Sequence, residues 1–247
     1  MPMADVVTQV VSQLVEKLRK ALGLDLVSAV LYGSAAIGDY QDKFSDYNVL
    51  CVLKTIAPPQ LRATEPIFRW WREQGNPSPL LLTEHELRTS TDCFPVEFHD
   101  IREHHKILHG PDVVSDLPID TIYYRAQVEH ELRAKLLRLR QKASAILSDK
   151  DVLRRLLVDS VSTFCVLFRH ALILRGEAAP GLKREILGRA REAFGIDGTP
   201  FETLLDLREK KNGAKLDDPE ALLTTYMIEI GKVIDVVDGM SIEKDAA

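Results

Sequence analysis

The sequence has no long apolar run. None approaches the roughly 20 consecutive apolar residues that a helix needs to cross a bilayer, so the 247 residues do not read as a membrane-spanning chain. Cysteine is scarce. Cys51, Cys93 and Cys165 are odd in number and far apart, which excludes a disulfide framework or a cysteine zinc knuckle and points to reduced, mostly buried thiols. An excess of positive charge is also missing: the net charge is −5 and the pI about 5.8. That excludes a polybasic membrane binder and argues against a dedicated nucleic-acid coat, while leaving room for a local basic patch. No internal repeat and no low-complexity tract occurs. The first residues, MPMADVVTQVVSQLVEKLRKALG, lack the basic segment and uninterrupted apolar core of a signal peptide. The expectation is a cytoplasmic protein without membrane association. With 45% hydrophobic and 28% charged residues, the chain has the composition of a globular protein long enough for one large domain or two ordinary ones.

Periodicity divides the chain. Val6, Val7, Val10, Val11, Leu14, Val15, Leu18 and Leu22 form one apolar stripe at helical spacing, and Gly23 marks its end. Leu26 to Tyr32 and Asn48 to Leu53 are short β-favouring runs, closed by Gly33-Ser34 and by Ala57-Pro58-Pro59. Residues 60–74 read as a helix ended by Gly75-Asn76-Pro77, and Leu80 to Leu82 as a third strand. Thr83 and Glu86 have the spacing of a capping box. Phe94, Val96 and Phe98 alternate with Glu97 and His99, which predicts a half-buried strand.

Beyond about residue 120 no strand pattern occurs. Helical stretches near 121–147, 150–175, 181–194, 200–210 and 219–238 are separated by Pro180-Gly181, Gly198-Thr199-Pro200 and Asp217-Asp218-Pro219. The expectation is an α+β chain with domains at 1–118 and 119–247: a mixed sheet with flanking helices, then a helical bundle.

The segment richest in chemistry lies between the first two strands. Gly33-Ser34-Ala35-Ala36 is small enough for backbone N–H groups to approach a phosphate, with the Ser34 hydroxyl as a further ligand. With eleven residues between Ser34 and Asp46, Asp46 and Asn48 open the second strand, spaced to project to one side as a divalent-cation pair would. A third carboxylate could complete the site or act as general base, and the alternation around Glu97 nominates it.

A Gly-Ser pair, a gap of about ten residues and an acidic residue opening a strand resemble the DNA polymerase β-like nucleotidyltransferases. The small bacterial branch with kanamycin nucleotidyltransferase and the aminoglycoside adenylyltransferases is the most similar. The resemblance covers roughly residues 26–110. It implies a nucleotidyltransferase-type sheet and a helical second domain bordering the cleft. It also implies binding of a nucleoside triphosphate with Mg²⁺ or Mn²⁺, and transfer of a nucleoside monophosphate to an acceptor with release of pyrophosphate. Gly33 and Ser34 would hold phosphate, Asp46, Asn48 and Glu97 the metal, with Asp46 and Glu97 catalytic. The chain departs from the family at Asn48, where a second aspartate is usual. A charge pair at about 4 Å contributes on the order of 4 kcal/mol at an effective dielectric near 20, so a neutral ligand there weakens metal binding. The departure opens a second expectation, a degenerate module that binds nucleotide without turnover. A third is a scaffold or homodimer formed through apolar helix faces.

Two further clusters have plainer readings. His99, Glu103, His104, His105 and His109 suggest zinc, and His105 and His109 have the i, i+4 spacing of helical ligands; solvated histidines are the simpler account. Arg125, Arg133, Lys135, Arg138, Arg140 and Lys142 outnumber Glu129 and Glu131 on one helical stretch. These are the wet face of an amphipathic helix, or, for Arg133 and Lys135, contacts to a triphosphate.

Overall fold

The computed structural model describes residues 3–36, 47–119, 123–178, 180–210, 213 and 215–240. The chain divides into two compact units, Met1–Asp120 and Thr121–Ala247.

In the first unit, helix α1 (Met3–Leu22) leads into strand β1 (Leu26–Tyr32), and β2 (Asn48–Leu53) lies antiparallel beside it. Helix α2 (Pro58–Glu73) follows, then β3 (Leu80–Thr83), α3 (Glu84–Thr89), α4 (Pro95–Glu103) and β4 (His105–His109). The sheet order is β3-β2-β1-β4; β3 runs parallel to β2, and β4 antiparallel to β1. Strand alternation sends successive side chains to opposite faces, and each face has its own core. Val49, Cys51 and Leu53 point to the side where Leu14 and Leu18 of α1 meet Ile67 and Trp71 of α2. Val30, Leu50 and Val52 point the other way, onto Leu87 of α3 and Phe98 and Ile101 of α4. The central strands are therefore apolar on both sides, which is why they read as continuous hydrophobic runs.

The Thr83–Glu86 capping box is present: Thr83 N donates to Glu86 Oε2 at 2.8 Å, and Glu86 N to Thr83 Oγ1 at 3.1 Å. The strand expected at residues 94–98 is not; this segment begins helix α4. Pro95 occupies the first helical turn, where its missing N–H costs nothing and its fixed φ suits the helix. The buried residues Pro95, Phe98 and Ile101 recur every three positions, so a three-residue alternation was too short to set the period. The fourth strand comes later, at His105–His109. It is an edge strand carrying two histidines and a lysine, held by its ladder to β1 and without an apolar pattern of its own.

The second unit is helical throughout its described residues: α5 (Tyr124–Ser144), α6 (Lys150–Leu174), α7 (Lys183–Phe194), α8 (Thr199–Arg208) and α9 (Pro219–Asp238). Asp149 caps α6 by accepting from Asp151 N and Val152 N, and Asp218 caps α9 through Ala221 N. Helix α6 is long and apolar enough to cross a membrane by length and composition. Its Leu153, Leu157, Val161, Phe164 and Phe168 are instead buried. Phe201 sits between Phe168 and Tyr226, with ring centroids 5.1 and 4.8 Å away. Burial of each such ring contributes about 1.5–3 kcal/mol.

Candidate functional site

The first two strands bring two of the sequence-nominated residues together. Tyr32, the last residue of β1, is paired with Asn48, the first of β2, so their side chains share the face that α3 and α4 cover. Gly33 follows Tyr32 at φ +79° and opens a single 3-10 turn, Gly33–Ala35. A Cβ on Gly33 would lie 3.4 Å from Asn48 Nδ2, an ordinary contact, so it is the left-handed backbone that calls for glycine there. Gly33 N–H donates to the carbonyl of His104 at 3.2 Å. That group is committed to the fold, and a phosphate cradle at this turn must draw on the amides that follow.

Glu97 arrives from a different element than its sequence context suggested. It lies exposed on the first turn of α4, where a carboxylate is favoured by the helix dipole. Neighbouring Phe98 anchors that turn against Leu50 and Val30. Glu97 is close enough to be felt by Tyr32. The phenol is pushed above its ordinary range by burial first, and then by the negative charge of Glu97. Gly33 and Asn48 thus meet at the end of β1, and Glu97 is tied to that end through its charge on the Tyr32 phenol. Asp46 lies outside the described residues, as does the side chain of Ser34.

The histidine cluster does not form the helical zinc pair. His105 and His109 are both on β4, where four residues span about 13 Å, too far apart to share one ion. His105 is occupied locally: Nδ1 lies 2.9 Å from the Arg102 carbonyl oxygen and Nε2 3.4 Å from Asp112 Oδ2. Arg133 and Lys135 lie on α5 of the second unit, engaged with acids. Arg133 Nε donates to Glu129 Oε1 at 2.7 Å and Nη2 to Asp238 Oδ2 at 3.2 Å. Lys135 Nζ is 3.2 Å from Glu131 Oε2.

Sequence reasoning missed the contacts made by Tyr32, by the His104 carbonyl and by Asn76. Tyr32 and His104 are linked to the site by strand register and by a backbone carbonyl, which carry no residue-type signal. Asn76 was read only as part of a helix stop, yet its Oδ1 accepts the buried N–H of Tyr47 at 3.1 Å.

No protein-family model and no curated protein matches the sequence. Among solved structures, the chain is similar to a spectinomycin adenyltransferase, AAD(9), from Enterococcus faecalis, determined with ATP and spectinomycin. The TM-score is 0.60 at 13% identity, over 92% of this chain and 98% of that one. The protein therefore has a nucleotidyltransferase-type α+β fold, a mixed four-stranded sheet followed by a helical region.

Proposed function

We propose that this protein binds a nucleoside triphosphate with Mg²⁺ or Mn²⁺ at the Gly33 end of β1. From there it transfers a nucleoside monophosphate to an acceptor. The observation that carries the reading is the packing of Gly33 against Asn48 at the end of β1, in a fold shared with an enzyme solved with ATP. ATP is accordingly the first nucleotide to try.

Asp46, Asn48 and Glu97 offer hard oxygen donors only, two carboxylates and an amide carbonyl, which suits a small oxygen-seeking divalent cation rather than zinc or copper. Bound there, such a cation would neutralise charge on the triphosphate. Asp46 is its charged ligand and Asn48 a neutral one. Glu97, exposed on α4, takes the proton of the acceptor hydroxyl as its oxygen bonds to the α-phosphorus and the bond to pyrophosphate breaks. Ser34 and the amides after Gly33 hold the phosphates.

A second reading rests on Asn48. With one charge fewer than two aspartates would supply, the site binds nucleotide and does not turn it over. Calorimetric titration with a non-hydrolysable ATP analogue, with and without Mg²⁺, tests the nucleotide site without knowledge of the acceptor. Metal-dependent binding that is lost in Asp46→Ala supports both readings, and pyrophosphate release separates them. Absence of binding to ATP, GTP, CTP and UTP analogues alike rejects both and favours a scaffold.

A further inference from the structure

Helices α5 and α9 lie antiparallel, side by side. Arg125, near the start of α5, donates to the Val237 carbonyl near the end of α9 at 3.3 Å. Further along α5, Leu137 and Arg140 share a groove with Gly231. Leu132, Leu136 and Leu139 bury the inner face of α5, while Arg133, Leu137 and Arg140 form an exposed stripe at i, i+4 and i+7. The facing stripe on α9 is Ile228, Gly231 and Asp235, at i, i+3 and i+7. Between the stripes lies a hollow of about 230 Å³, with Leu136, Leu137 and Ile234 among its lining residues.

This face carries both a knob and a notch. Leu137 is 55% exposed and Ile228 53%, so two large apolar side chains stand in solvent on neighbouring helices. Gly231 sits in the middle of α9, where glycine is the poorest helix former after proline. Its backbone is not left-handed, and a Cβ there would meet nothing within 4 Å. Neither conformation nor packing among the described residues calls for the glycine; what it gives α9 is an indentation in an outer surface. The rim carries both signs of charge, Arg140 on α5 and Asp235 on α9. Among the described residues neither takes part in an ion pair, whereas Arg133, at the end of the groove, is held by Glu129 and Asp238.

We propose that the α5–α9 face is a self-association surface whose occupant is a second copy of this chain. The face holds both halves of each contact it needs, as an isologous interface must. A two-fold axis along the groove lays α5 of each copy over α9 of the other at the same level. Since α5 and α9 are antiparallel within one copy, they also cross antiparallel between copies. Leu137 then enters the Gly231 notch of the second copy, and Arg140 comes beside its Asp235, each contact being made twice. A ligand or membrane of one charge sign would instead meet a repelling group on one rim. The proposal is independent of the nucleotide-site reading, and none of Leu137, Arg140, Gly231 and Asp235 is assigned to that site.

Sedimentation equilibrium of the full chain, at concentrations on the order of 1–100 µM, tests it. Expected for wild type is a mass that rises with concentration toward twice 27.8 kDa. Arg140→Glu and Asp235→Arg should each weaken association by about tenfold or more, by setting like charges against each other across the interface. The double variant Arg140→Glu/Asp235→Arg reverses the pair and should recover most of that loss. Gly231→Leu fills the notch and should weaken association to a similar degree, with no fall in melting temperature because leucine is the better helix former. Thermal unfolding of every variant separates lost association from lost folding, and the exposed Arg140→Glu decides if Gly231→Leu is unstable. Support requires both the loss in the single charge variants and the recovery in the swap. A wild type that stays monomeric throughout overturns the proposal, as does a dimer that these substitutions leave unchanged. A monomer that carries a co-purified small amphiphile in native mass spectrometry assigns the groove to a ligand and overturns it as well.

Discussion

Gly33 and Asn48 pack side by side: a Cβ on Gly33 would meet the Asn48 side-chain nitrogen at 3.4 Å, an ordinary contact distance. The turn and the strand head nominated from sequence thus adjoin in the fold. Gly33→Ala should therefore strain the φ +79° backbone beside an amide that its Cβ meets at ordinary contact distance. About 1–2 kcal/mol of stability should be lost, with weaker analogue binding, measured by thermal unfolding and calorimetry. A variant with unchanged stability and unchanged binding would sever the link.

Asn48→Asp adds a carboxylate at the head of β2. The Mg²⁺ concentration needed for analogue binding should drop by about tenfold or more, a fraction of the ~4 kcal/mol of an unscreened pair at short range. If pyrophosphate release appears only in this variant, binding without turnover is the natural state of the protein. Release already present in wild type assigns it as an active transferase.

Glu97→Gln removes the charge that helps hold the Tyr32 phenol above its ordinary range. The folded-state titration of Tyr32 should move down in pH but stay above its ordinary range, because burial is the larger cause. Ultraviolet difference titration, with Tyr32→Phe to assign the signal, measures it. An unmoved Tyr32 would place Glu97 too far away to serve the same site.

Asp112 staples the loop after β4. Its carboxylate accepts from the Ser115 hydroxyl at 2.6 Å and from the Val114 and Ser115 amides at 3.0 Å, with His105 at 3.4 Å. These bonds, the Ser115 hydroxyl foremost, hold its pKa far below the usual carboxylate range. The group is depressed in the folded state, so its stabilisation is present above the unfolded carboxylate pKa, about 3.9, and is lost as pH falls through the folded value. Asp112→Ala should cost about 1 kcal/mol near neutrality, with the difference from wild type shrinking below about pH 4. Denaturant unfolding at pH 7 and pH 3 checks the sign; a gap that widens in acid contradicts it.

Phe201 carries the aromatic centre of the second unit, fully buried between Phe168 and Tyr226. Phe201→Ala should destabilise that unit by about 3–5 kcal/mol through lost burial and an unfilled cavity. Chemical denaturation followed by circular dichroism reads the loss. A cost below about 1 kcal/mol would mean that the surrounding helices close over the gap.

Much of this architecture is written locally. The strands at Leu26–Tyr32 and Asn48–Leu53, the five helices after residue 120 and the Thr83–Glu86 box follow from apolar period, turn residues and capping chemistry. All of these act within a few residues along the chain, so a single sequence displays them. Position 48 is likewise visible as an asparagine beside an expected metal position. What tertiary structure alone decided is the origin of the remaining contacts. Glu97 sits on the first turn of a helix and not on a strand, because Pro95, Phe98 and Ile101 bury one helical face and override a short alternation. His105–His109 is a strand because β1 offers it a ladder, a partner 73 or more residues earlier whose hydrogen bonds leave no mark on residue type. Asn76 meets the buried Tyr47 N–H, 29 residues earlier, because a glycine at the end of α2 turns the chain there. Local chemistry sets the elements; long-range hydrogen bonds and the burial of each face choose which residues meet.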